Sequence, residues 1–161
     1  MLVLGIDPGV RKLGYSLVDF NDSGDKKIVD AGILLNTQET INRRVRRHKI
    51  YEISWFFDDM LSRYSIDKVG IEKLYFTSRN QSNAEFVYGM RGVLINKLIS
   101  KGIGFVEIDP VQVKAYITGN GKADKKLVQK KIMQLYNLEQ LPKYNDSADA
   151  LGMAYIASKM V

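Results

Sequence analysis

The feature that most constrains this chain is a pair of short apolar runs, each ending on a carboxylate. Leu2-Val3-Leu4-Gly5-Ile6 runs into Asp7, and Val69-Gly70-Ile71 runs into Glu72. Runs without polar alternation are apolar on both faces, as expected of strands at the centre of a sheet covered from both sides. A charge at the end of such a strand must be paired or bound to a cation, because desolvating it alone costs several kcal/mol or more. Two further acids, Asp146 and Asp149, open the last helical pattern, Asp146-Ser147-Ala148-Asp149-Ala150-Leu151-Gly152-Met153-Ala154.

The rest of the chain supplies a frame for these four acids. Asp7-Pro8-Gly9 marks a turn, residues 14–20 resume as a strand, and after a polar loop residues 27–35 form a third. The opening is therefore an antiparallel meander. A long helix is expected over about residues 38–64, with Val45, Ile53, Phe56, Phe57, Met60 and Tyr64 sharing one face. Strands at 68–72 and 104–108 flank a helix at 81–100. A short helix after Pro110, a longer one over 123–137 and a last one from Asp146 complete the pattern. This order predicts an α/β protein built on a five-stranded mixed sheet. Its first three strands are antiparallel, the last two parallel, and helices cover both faces. No repeat or linker interrupts residues 1–161, which are expected to form one domain.

Composition narrows the partners. Lysine and arginine number 24 against 18 acids, a net charge of +6. Without the four acids above the balance is 24 to 14, a basic body around an acidic pocket, which suits a polyanion that must also meet cations. There is no cysteine and a single histidine, His48, so thiolate sites and disulfides are excluded and an all-protein zinc site is disfavoured. No run approaches about 20 apolar residues and no signal peptide precedes the first strand, so no membrane partner and a cytoplasmic location are expected.

Each acid has an ordinary structural explanation. Asp-Pro-Gly is a common turn, Glu72-Lys73 could be a surface pair, and Asp146 with Asp149 resembles a helix cap. Their combination says more. Asp146 and Asp149 are three apart and project from one helix face. Asp7 and Glu72 end strands expected to be neighbours, and ligands of open sheets gather beyond strand carboxyl ends. Oxygen-only donors favour Mg²⁺ or Mn²⁺, and two such ions about 4 Å apart can clamp both oxygens of an in-line phosphoryl displacement. The chemistry implied is phosphodiester hydrolysis.

Several motifs in order make the chain resemble the RuvC Holliday-junction resolvases, of the ribonuclease-H-like superfamily. They are Leu4-Gly5-Ile6-Asp7-Pro8-Gly9 with Gly14, Ile71-Glu72-Lys73-Leu74-Tyr75-Phe76, and Met90-Arg91-Gly92-Val93. Val113-Lys114, Thr118-Gly119-Asn120-Gly121-Lys122-Ala123-Asp124-Lys125 and Asn145-Asp146-Ser147-Ala148-Asp149-Ala150-Leu151 follow. The resemblance implies a ribonuclease-H-like fold and assigns Asp7, Glu72, Asp146 and Asp149 as metal-binding catalytic carboxylates. It implies Mg²⁺ dependence, with Mn²⁺ as a substitute and two ions per site. The implied activity is resolution of four-way DNA junctions by paired symmetric nicks, made by a homodimer in recombination and repair. A branch-migration helicase is a candidate partner. Two alternatives stay open: a ribonuclease-H-like nuclease acting on other branched DNA or on hybrids, and a non-catalytic junction-binding module.

The resemblance also distributes DNA contacts. Basic residues matching Lys114 and Lys125 approach the scissile phosphate in the family, so both are added to the catalytic set. Asn120, Lys122 and Lys126 belong to the same glycine-flexed loop and helix start, where backbone amides favour phosphate. After Glu72, residues 73–83 contain Tyr75, Phe76, Arg79 and Asn80, with Tyr75 the first candidate for an aromatic wedge stacking on unpaired bases and Phe76 the next. Gly89 and Gly92 permit close helix approach, which packing against the sheet explains as readily as a dimer seam; the resemblance favours the seam, with Phe86, Met90 and Val93 as candidate contacts. The densest basic run, Arg43-Arg44-Val45-Arg46-Arg47-His48-Lys49, reads as a solvated helix face, although Arg46 and Lys49 fall within the apolar arc. His48 reads as an exposed helix residue rather than a catalytic base.

Overall fold

A computed structural model describes residues 1–9, 12–35, 43–75, 81–140 and 145–160, and for Leu35, Arg43, 81–83, Asn145 and Asp146 the backbone alone. The elements are β1 (Leu2–Asp7), β2 (Lys12–Phe20), β3 (Lys26–Leu35), α1 (Arg43–Arg63), β4 (Lys68–Glu72), α2 (Gln81–Ser100), β5 (Gly104–Ile108), α3 (Pro110–Thr118), α4 (Lys125–Tyr136) and α5 (Asn145–Lys159). The strands form one sheet in the order β3-β2-β1-β4-β5. β1 pairs antiparallel with β2, β2 antiparallel with β3, and β1, β4 and β5 run parallel, which is the mixed sheet expected from sequence.

The pleat divides the apolar runs between two layers. Leu4, Ile6, Val69 and Ile71 point to one face, where Phe57 and Met60 of α1 and Phe86, Met90, Leu94 and Leu98 of α2 cover them. Val3 and Ile108 point to the other face, under Val113 of α3, Val128 and Ile132 of α4, and Leu151, Met153 and Ala157 of α5. Burial on both faces is why β1 and β4 lack polar alternation.

Several boundaries differ from the sequence expectation. Within the described residues α1 begins at Arg43, and the expected first turns at 38–42 lie outside them. α4 begins at Lys125 because the carboxylate of Asp124 accepts the backbone N–H of Leu127 and caps the helix there. α5 begins at Asn145, so Asp146 lies inside its first turn rather than at its cap. Among the described residues no helix is long and apolar enough to cross a membrane.

Candidate active site

The pairing Ile6 with Ile71 places Asp7 and Glu72 side by side at the carboxyl ends of the two central strands. Alternation sends both to the face that carries α5, the face also shared by Gly5 and Gly70. That placement depends on the absence of side chains beneath the helix. A Cβ on Gly5 would lie 2.0 Å from the Ala150 carbonyl oxygen and 2.7 Å from the Ala154 nitrogen. One on Gly70 would lie 2.6 Å from the Met153 carbonyl oxygen. Ser16, paired with Gly5 on the neighbouring strand, donates its hydroxyl to the Ala150 carbonyl at 2.8 Å. The backbone of α5 therefore rests directly on the sheet, and Asp149, the residue before Ala150, is carried to the strand ends.

The result is a cleft of about 470 Å³ lined by Asp7, Glu72, Asp149, Lys12, Lys114 and Lys125, with Pro8, Gly9, Pro110, Val113, Val128 and Met153. Three of the four candidate carboxylates and both candidate catalytic lysines thus come together. Asp146 lies one helical turn before Asp149, and its side chain is outside the described residues. Asp7 is 9% exposed, whereas Glu72 and Asp149 are partly exposed. Lys12, the first residue of β2, enters the cleft without having been picked out from sequence. Its local signal, one lysine after a turn, is too common to stand out.

α5 also positions the two cationic arms. Gly152 receives Val113 of α3 and Ile132 of α4, where a Cβ would meet their side chains at 3.3 and 3.6 Å. The Tyr136 hydroxyl of α4 donates to the Leu151 carbonyl at 2.8 Å, and burial raises the pKa of that phenol, keeping it a donor. α3 is fixed at its start by Asp109, which accepts the Val111 N–H at 2.7 Å and shares a capping box with Gln112. Lys114 and Lys125 accordingly project from helices docked on the helix that carries Asp149.

The candidate DNA contacts are placed as follows. Tyr75 is exposed, but its hydroxyl donates to Asp109, the cap of α3. That bond raises the Tyr75 pKa and, together with the Val111 N–H, lowers that of Asp109. The Lys73 N–H bonds the Ile108 carbonyl at 2.8 Å, which holds the start of this segment against β5. Asn120 accepts the Lys122 N–H at 2.9 Å. Asn120, Lys122 and Lys126 are exposed outside the cleft lining. The start of α4 differs from an open phosphate cradle, because the Asp124 carboxylate already takes one of its first amides. Phe76, Arg79 and Asn80 lie outside the described residues.

Two further expectations are resolved away from the cleft. Phe86 and Met90 are buried against the sheet and are corrected as dimer contacts, because α2 needs them as its core face. Val93 is half-buried. In the basic run, Lys49 is held by Glu52 at 2.9 Å, which reconciles its position in the apolar arc with its charge. His48 is exposed and lies 3.2 Å from the same carboxylate.

The donor chemistry fits a hard cation: the acids are all carboxylates, converge at one end of the sheet and face cationic side chains. Among the described residues these acids do not close into a three-ligand cluster, and the fourth, Asp146, has its side chain outside them.

Comparison with known proteins gives this arrangement a family. The family model described as crossover junction endodeoxyribonuclease RuvC matches residues 3–157. The RuvC of Alkaliphilus metalliredigens is 39% identical over 155 residues, covering 96% of this chain and 90% of that protein. The RuvC of Caldicellulosiruptor saccharolyticus is 37% identical over 155 residues, with the same coverage of 96% and 90%. Among solved structures, T. thermophilus RuvC in complex with a Holliday junction substrate superposes with a TM-score of 0.80 at 21% identity, covering 96% of this chain and 90% of that one. That likeness makes the five-stranded sheet a ribonuclease-H-like fold. Nucleases of this family are metal-dependent. With a family model spanning nearly its whole length and relatives well above 30% identity, the chain belongs to the RuvC family of crossover junction endodeoxyribonucleases.

Proposed function

We propose that residues 1–161 act as one nuclease domain that resolves four-way DNA junctions by paired symmetric nicks, through two-metal-ion phosphodiester hydrolysis. The observation that carries this reading is the cleft that gathers Asp7, Glu72 and Asp149 opposite Lys114 and Lys125. Asp7, Glu72 and Asp149, with Asp146 from the same helix, would hold Mg²⁺ or Mn²⁺, two ions per site. When bound, such ions polarise phosphoryl oxygens and lower the pKa of water towards neutrality. The chain's own residues do the rest. The four carboxylates set the position of the acidic centre relative to the backbone of the DNA. The ammonium groups of Lys114 and Lys125 neutralise charge on the non-bridging oxygens as water adds to phosphorus and the opposite P–O bond breaks. Lys12 contributes further positive charge at the rim. Tyr75, with its hydroxyl tied to Asp109, offers an exposed ring beside the cleft for stacking on an unpaired base.

A panel of synthetic four-way junctions, forks, duplexes and RNA–DNA hybrids tests the substrate assignment in Mg²⁺. Junctions are expected to be nicked at symmetric positions at least about 100-fold faster than duplex, a difference of about 3 kcal/mol in barrier. Equal rates on hybrids would move the chain to the wider ribonuclease-H-like class. Binding without cleavage in both metals would make it a junction-binding module.

Symmetric nicking needs two clefts, and the exposed face of α2 supplies a surface for a second copy. Tyr88 and Ile99 are exposed there, Gly92 lies between them, and among the described residues nothing approaches within 4 Å of a Cβ built on Gly92. We expect Gly92→Arg to leave the melting temperature within a few degrees while converting a dimer to a monomer in sedimentation velocity. A variant that remains dimeric would remove α2 from the interface.

A further inference from the structure

The charge on α4 exceeds anything its folding role requires. The helix carries four lysines, Lys125, Lys126, Lys130 and Lys131, and no acid. Its buried side chains are Val128, Ile132 and Tyr136, with Leu135 partly buried against the same core. Two of the lysines occupy the first turn, where the positive end of the helix dipole disfavours cations. Lys126 and Lys130 stand four residues apart, a like-charge pair that weakens the helix. Among the described residues none of the four forms an ion pair. On other helices several cations are matched, Lys49 with Glu52, Arg63 with Asp59 and Lys97 with Asp58, whereas among the described residues no lysine of α4 is. Repulsion left uncompensated in the free protein is relieved by a bound polyanion.

Direction along the helix adds to the argument. Lys125 lines the cleft, whereas Lys126, Lys130 and Lys131 are exposed outside it. At about 100° per residue, Lys126 and Lys130 share one face, separated by about 40° and about 6 Å along the axis. Lys131 lies roughly 100° further round the helix. Lys126 and Lys130 therefore share one exposed face just outside the cleft that Lys125 lines, and Lys131 does not belong to that face.

We propose that Lys126 and Lys130 form a phosphate-tracking row that grips a duplex arm of the junction beyond the reacting phosphate. This rests on the reading of the cleft as a site for branched DNA. It extends the protein's footprint from the crossover to an arm, and it excludes Lys131 from that footprint.

The test compares two double variants that each remove two positive charges. One is Lys126→Gln with Lys130→Gln. The control is Lys131→Gln with Lys101→Gln, Lys101 being exposed just before β5, at the end of the sheet away from the cleft. Fluorescence anisotropy with labelled junctions in EDTA measures binding without cleavage across a salt series, using long-armed junctions and junctions with arms cut to a few base pairs. The row variant is expected to bind long-armed junctions about ten-fold more weakly than wild type. Its slope of log K against log salt should fall by about 1.8, the value for two lost phosphate contacts on duplex DNA. On short-armed junctions its deficit should shrink to about two-fold, and the control should stay within about two-fold on both. Equal losses in the two double variants would overturn the proposal in favour of general charge attraction, as would an unchanged salt slope. If the row variant binds like wild type while wild type prefers junctions to duplex, the row fails and the junction reading stands. If wild type shows no preference for junctions, both fail.

Discussion

Asp7→Asn is expected to lower junction cleavage by at least about 10³-fold while leaving junction binding within a few-fold of wild type. Asp7 is the most buried of the described carboxylates, and it sits where the two central parallel strands end together. The amide keeps the size and much of the hydrogen-bonding capacity of the acid, so the sheet is not disturbed. What it loses is a full negative charge in a site of restricted solvent access. Weakening a metal there removes several kcal/mol of charge stabilisation in the transition state, and about 4 kcal/mol corresponds to about 10³ in rate. In the proposed function binding rests on contacts spread over the lysines, so removing one negative charge is not expected to weaken it. Single-turnover cleavage in Mg²⁺, gel-shift titration in EDTA and a thermal melt without divalent ions separate the effects. The melt should be unchanged or slightly higher, because an acid has been removed from a cluster of like charges. Cleavage at the wild-type rate would remove Asp7 from the reaction, and a lowered melting temperature would make it a structural residue.

Gly5→Ala should be among the most destabilising single methyl additions in the protein. The new Cβ would be built 2.0 Å from a backbone oxygen and 2.7 Å from a backbone nitrogen of α5, and neither can swing aside as a side chain could. Those separations lie far inside the roughly 3.5 Å at which non-bonded atoms settle, so α5 must lift off the sheet. Overpacking of this kind costs about 3 kcal/mol, and the lifted helix also loses the Ser16 hydrogen bond, a further 1 kcal/mol or so. Because Asp149 precedes the displaced Ala150, activity should fall beyond the loss explained by unfolding, by about 10² for a shift near 1 Å. Urea unfolding and single-turnover cleavage at a temperature where the variant is still folded measure the two parts. Gly104→Ala is the control: it opens β5 with nothing among the described residues near its built Cβ, and its stability should stay within about 1 kcal/mol of wild type. Wild-type stability for Gly5→Ala would mean that α5 does not depend on this contact.

The two predictions draw on different kinds of information. That Asp7 and Glu72 end core strands is written locally, in two apolar runs that each stop at an acid, because desolvation forbids a stray charge in such places. That Asp146 and Asp149 share a helix face follows from a spacing of three. The order of strands and helices was also legible, since hydrophobic period and turn residues act over a few positions. Lys114 and Lys125 were picked out through resemblance rather than periodicity, since a lysine within a short helix or at a helix start carries no local mark of its use.

Other features had no local signal. Phe86 and Met90 look equally suited to a dimer seam or a core, and only the sheet beneath α2 decides that they face inward. Tyr75 reads as a free ring, yet its hydroxyl meets Asp109, a partner 34 residues away. Lys12 follows an ordinary turn and still lines the cleft. Gly5 and Gly70 read as members of apolar runs, and their role as the bare floor under α5 exists only once residues about 80 to 150 positions apart are in contact. By itself the sequence determined which residues carry charge at the ends of buried elements, because burial and backbone period are local costs. Tertiary structure alone decided that these charges meet in one cleft, because their meeting depends on how closely a distant helix can approach the sheet.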